Sequence, residues 1–82
     1  MREDNVRTLP GAPVPGVEPV SEVVEHLKLR LAEAERGEIR SIATTAIKQN
    51  GNISTGWHAN GEFWKLLGGV DWMKHRMLEG DE

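Results

Sequence analysis

The chain has 82 residues, a formal net charge of −3 and no cysteine. That length holds one domain, and a domain so small buries only about 60% of the surface its unfolded chain exposes. Without cysteine, disulfides, thiolate metal sites and redox motifs are excluded, which leaves oligomerisation as the staple a small scaffold usually needs.

The acidic balance lacks the basic footprint of a general nucleic-acid binder. No apolar run approaches the ~20 residues of a membrane span. No apolar h-region opens the chain, so no secretory signal is read. The expectation is a cytoplasmic protein without a membrane partner.

Residues 1–20, MREDNVRTLPGAPVPGVEPV, read as an extended arm. Pro10, Pro13, Pro15 and Pro19 fix φ and remove donors, so no helix or central strand runs through. Two readings of the arm stand side by side. It is a flexible tail, or it lies along a neighbouring subunit, anchored by Val6, Leu9, Val14 and Val17.

Residues 21–78 read as one α-β-β-α domain, and 79–82 as an acidic tail. Over 21–36 the residues Val20, Val24, Leu27, Leu31 and Ala34 recur at steps of three and four, which predicts an amphipathic helix. Ser21 is the expected N-cap and Gly37 the expected left-handed residue beyond the C-cap. Residues 38–48 and 52–59 are rich in β-branched residues and predict two strands. Between them Asn50-Gly51 predicts a two-residue type I′ hairpin turn.

That turn fixes a register in which Gln49 opposes Asn52 and Thr44 opposes Trp57. One face then carries Arg40, Ile42, Thr44, Ala46, Lys48, Ile53, Thr55 and Trp57. The other carries Ile39, Ser41, Ala43, Thr45, Ile47, Ser54, Gly56 and His58. Residues 60–78 predict a second helix, capped by Asn60, with Phe63, Leu66, Leu67, Val70, Met73 and Met77 on its apolar face. Gly68-Gly69 within it costs roughly 1 kcal/mol per residue relative to alanine, so a kink or a close helix contact is expected there. The fold class is α+β.

An isolated two-stranded hairpin is marginal in water, and both faces of this one are semi-apolar. The expectation is therefore a symmetric homo-dimer or higher oligomer. Trp64 and Trp72 flank Gly68 away from the apolar stripe of their helix, and tryptophan is enriched at interfaces. Trp64, Gly68 and Trp72 are the expected oligomer or partner contacts.

No catalytic constellation emerges. There is no nucleophile elbow, phosphate loop or dinucleotide fingerprint. Ser54 and His58 share a strand face but stand ~13 Å apart along it, too far for a nucleophile and its base. His26, His58 and His75 lie on different elements with no ligand partner at metal spacing, so neither metal nor cofactor is expected. The protein reads as a non-enzyme. On the hairpin face of Trp57, the residues Arg40, Thr44, Lys48 and Thr55 offer a guanidinium, an ammonium and two hydroxyls beside an aromatic ring. That set suits a small anionic, nucleotide-like ligand. Lys74, His75 and Arg76 form too short a basic cluster for DNA, among Asp71, Glu79, Asp81 and Glu82.

The segment RGEIRSIATTAIKQNGNISTGWHA, from Arg36 to Ala59, resembles a group of short proteins of bacterial genomes, prophages and phages. The shared pattern is a helix ending in Gly-Glu-Ile-Arg, a small-residue strand, an Asn-Gly turn and Gly-Trp. It covers about a third of the chain. The resemblance implies an α-β-β-α subunit and carries over no catalytic or binding residue. It also implies a kind of work, because short phage accessory proteins often bind host components such as defence proteins or their nucleotide signals. The expected function is thus a binding module, located in the host cytoplasm if phage-encoded, that occupies a host protein or sequesters a small anion. The alternative is a small regulatory or structural subunit, free or DNA-associated.

Overall fold

The computed structural model describes residues 6–16 and 18–80. The element order is β1 (Arg7–Leu9), α1 (Ser21–Glu35), β2 (Ile42–Ile47), β3 (Ile53–His58) and α2 (Phe63–Leu78). It is the expected α+β subunit with a central hairpin, plus one strand. The sheet is antiparallel in the order β1-β3-β2.

The added strand comes from the arm. Arg7, Thr8 and Leu9 pair with Thr55, Ser54 and Ile53. Beyond Pro10 the arm stays on the same hairpin. The Val14 N–H donates to the Gln49 carbonyl at 2.9 Å, and the Gly11 N–H donates to Asn52 Oδ1 at 3.3 Å. Within the subunit this stretch lies along β3 of its own chain, which offers a free edge nearby. Within the subunit backbone hydrogen bonds hold it, and Val6, Leu9 and Val14 remain exposed. Val17 lies outside the described residues.

The hairpin turn is corrected. The Gly51 N–H donates to the Lys48 carbonyl at 2.8 Å and the Lys48 N–H to the Asn52 carbonyl at 2.9 Å. Gly51 has φ +87°, whereas no non-glycine residue among those described has positive φ. This is a three-residue loop, Gln49-Asn50-Gly51, with glycine alone in the left-handed position. A type I′ turn would need Asn50 there as well. The arm crosses directly over Gly51, whose missing Cβ would meet the Ala12 carbonyl and Pro13.

One extra loop residue moves the register by one. Ala43 opposes Trp57, Thr45 opposes Thr55, and Ile47 opposes Ile53. Because side chains alternate, the slip reverses which residues share a face. The face of Trp57 carries Arg7, Leu9, Ala43, Thr45, Ile47, Ile53 and Thr55. The opposite face carries Thr8, Ile42, Thr44, Ala46, Ser54, Gly56 and His58.

Both helices form near their expected limits, but their N-termini differ. Val20 is the N-cap of α1 and no side chain caps it; the Ser21 hydroxyl instead donates to Glu22 Oε1 at 3.3 Å. α2 starts at Phe63 with Glu62 as N-cap. Asn60 does not cap it, since Gly61 at φ +80° turns the chain first and the Asn60 N–H donates to Ser41 Oγ at 2.9 Å. The C-terminus of α1 follows expectation. Gly37 has φ +78°, its N–H donates to Ala34 O at 3.0 Å, and the Glu38 N–H donates to Glu33 O at 2.9 Å, completing a Schellman motif.

Among the described residues no apolar side chain is fully buried; Gly51 alone is buried, and residues such as Ile53, Leu66 and Val70 are half-buried. α2 lies against β2 through Leu66, Val70 and Met73, whereas α1 has no extensive packing on any element. No helix among the described residues is long and apolar enough to cross a membrane.

Candidate functional site

The interior that exists is an open cleft of about 330 Å³ between α2 and the face of Trp57. Alternation brings Ala43, Thr45, Thr55 and Trp57 to one wall. The stripe on α2 brings Phe63, Leu66, Leu67, Val70 and Met73 to the other. The rings of Trp57 and Phe63 lie 6.4 Å apart and tilted by 57°. Phe63 in turn meets Trp64 edge-on at 5.1 Å. Trp57 is 43% exposed, so its ring borders the cleft and remains open to a visitor. The hydroxyls of Thr45 and Thr55 and the Trp57 indole N–H are the side-chain hydrogen-bonding groups in the wall formed by the Trp57 face. The Thr55 hydroxyl already donates to the Arg7 carbonyl at 3.5 Å.

The expected anion site does not assemble around this ring. Thr55 and Trp57 share a face, but Thr44 points from the other one, where its hydroxyl donates to the Gly56 carbonyl at 3.4 Å. Lys48 follows the same alternation and belongs with Thr44, beside the turn. Arg40 precedes β2 and lines a second cleft of about 480 Å³ with Glu38, Glu62 and Lys65, where the charges are mixed. The physical cause is the one-residue slip at Gly51.

Trp64 and Trp72 stand on the outer side of α2, 78% and 65% exposed. The Arg76 guanidinium lies 5.6 Å over the Trp72 ring, a cation–π contact. Gly68 and Trp72 border a shallow hollow with Asp71, Lys74, His75 and Leu78. Neither Gly68 nor Gly69 has an atom near its missing Cβ, and α2 runs unbroken through both. The close contact expected at this pair is therefore not made within the subunit.

Electrostatics elsewhere are local. Arg36 forms a two-pronged bridge to Glu38, at 2.7 and 3.1 Å, which holds the Glu38 carboxyl below the usual carboxylate range. His75 lies 3.1 Å from Glu79 in the last turn of α2.

The sequence reading passed over Phe63, Leu67 and Met73 as site residues, although it saw their stripe. An apolar stripe reads as core, and only the absence of a covering layer turns it into a cleft. No protein-family model, no curated protein and no solved structure matches this chain.

Proposed function

We propose that the chain is a non-enzymatic binding module whose ligand is a protein. The observation that carries this is the exposed apolar surface centred on the Trp57–Phe63 cleft, in a subunit that buries no apolar side chain fully among its described residues. Contiguous exposed apolar surface marks interaction sites, and tryptophan is among the residues that dominate contact energies. A cleft with aliphatic and aromatic walls recognises the apolar side chains of a partner, such as one face of an amphipathic helix. The resemblance of the Arg36–Ala59 segment to short phage and prophage proteins supports a host protein as that partner.

Sequestration of a nucleotide-like anion is the weaker reading, because Thr44 and Lys48 lie on the sheet face opposite Trp57. No observation favours a DNA-associated subunit, since His75 pairs with Glu79 and Arg76 covers Trp72.

The test is co-purification of tagged full-length chain from cells of the encoding organism. A stoichiometric partner lost on Trp57→Ala and kept on the double change Arg40→Ala, Lys48→Ala is the expected result. Loss only with the cationic pair, or a thermal shift with nucleotides that Trp57→Ala leaves intact, overturns the reading.

A further inference from the structure

The sheet has two edges, and they are built differently. The β1 edge has three residues, carries Arg7 and ends at Pro10. Short length, charge and proline are the devices by which proteins keep a strand edge from pairing. The β2 edge has none of them. Its six residues, Ile42-Ala43-Thr44-Thr45-Ala46-Ile47, hold neither charge nor proline, and β3 is its only neighbour in the sheet.

Which groups face outward follows from the turn. Lys48 donates its N–H to Asn52, and hydrogen-bonded pairs alternate with non-bonded ones along an antiparallel ladder. Ala46, Thr44 and Ile42 therefore direct their amides and carbonyls to β3. Ala43, Thr45 and Ile47 direct theirs outward, where the subunit supplies no strand.

We propose that β2 pairs antiparallel with β2 of a second copy, about a two-fold axis at Thr45 that sets Ala43 opposite Ile47, to give a continuous six-stranded sheet. The surface area supports a second copy as the occupant. A compact protein of 9.1 kDa exposes about 4,900 Å². This chain exposes 7071 Å², an excess of about 2,000 Å² per copy and about 4,000 Å² for two, and obligate homodimers bury roughly 2,000–5,000 Å² over both partners. A self-complementary strand satisfies a two-fold without any other feature, because each outward amide meets an outward carbonyl of the same set.

The geometry of α2 agrees. Directly opposed residues of an antiparallel pair share a face, so a two-fold normal to the sheet brings both α2 helices to the same side. The Lys65–Gly69 flank of α2 borders residues 38–41 and Ala43 but no residue of β3, so it lies toward the β2 edge. Two helices beside a shared axis need small residues where they meet. Gly69, which lies on that flank with open space at its missing Cβ, supplies one there.

The test combines sedimentation equilibrium with amide hydrogen exchange on the full chain. Wild-type protein sediments at twice 9.1 kDa at micromolar concentration. The amides of Ala43, Thr45 and Ile47 are protected, although the subunit offers them no acceptor. Thr45→Pro deletes an N–H that the subunit's own ladder does not use, and Ile47→Lys puts a charge on the edge outside the Trp57 cleft. Each raises the dissociation constant by at least about tenfold while the α2 and β3 amides stay protected. A wild-type monomer overturns the proposal. So does a dimer in which those three amides exchange freely, because its contact then lies on α1 or the outer face of α2.

Discussion

Gly51 decides more than any other residue. Asn50-Gly51 is a hairpin signal in any reading, but two turns satisfy it, and they differ in whether asparagine also enters the left-handed region. Here glycine does so alone, with φ +87°, and the arm lies where a Cβ would be. Alanine at 51 meets both problems. Gly51→Ala is expected to destabilise the fold by more than ~1 kcal/mol, read from urea unfolding, since a left-handed L-residue alone costs about that much. Gly16→Ala, also at positive φ but in open space, is the control that isolates the contact with the arm. Trp57 inherits the consequence of the turn. It shares its face with Ala43 and Thr45 rather than with Thr44 and Lys48, which is why the apolar reading of its neighbourhood prevails.

At the scale of elements, α1 ends as its sequence dictates and packs as its sequence does not suggest. Gly37 closes it with a Schellman motif, and just beyond it Arg36 grips Glu38. The Glu38 carboxyl is held down mainly by its hydrogen bond from Arg36. A carboxyl depressed in the folded state contributes stability above its unfolded pKa and loses it as pH falls through the folded one. The helix end is therefore expected to loosen on the acid side of that window. Glu38→Gln flattens this part of the pH profile, followed by circular dichroism; the pair is fully exposed, so the effect is small and fades with added salt. The apolar stripe of α1 has periodicity enough to predict the helix, but periodicity does not name what the stripe meets. In this subunit Leu27 and Leu31 remain more than half exposed.

At the scale of the whole molecule, the described residues form a sheet with one helix against it, one helix apart from it and no closed core. Such a subunit draws little stability from its own packing, and a scaffold this small usually needs a further staple. If two copies join along β2, the melting temperature rises with protein concentration, as mass action requires when only the folded state associates. Calorimetry over a hundredfold concentration range checks this, and a melting temperature that does not move contradicts it. The same measurement on Ile47→Lys is expected to show a lower and less concentration-dependent transition.

The sequence by itself determined the two helices, the two hairpin strands and the α+β class, because these rest on local periodicity, glycine stops and β-branched runs. It also exposed the semi-apolar character of both hairpin faces. Tertiary structure decided three things. It recruited Arg7–Leu9 as a strand, which three residues cannot announce by any period and which required a free edge on β3. It chose the three-residue loop over the two-residue one, both of which Asn50-Gly51 allows. Through that loop it assigned every hairpin side chain to its face, because strand alternation has a period of two and one residue in a turn reverses it.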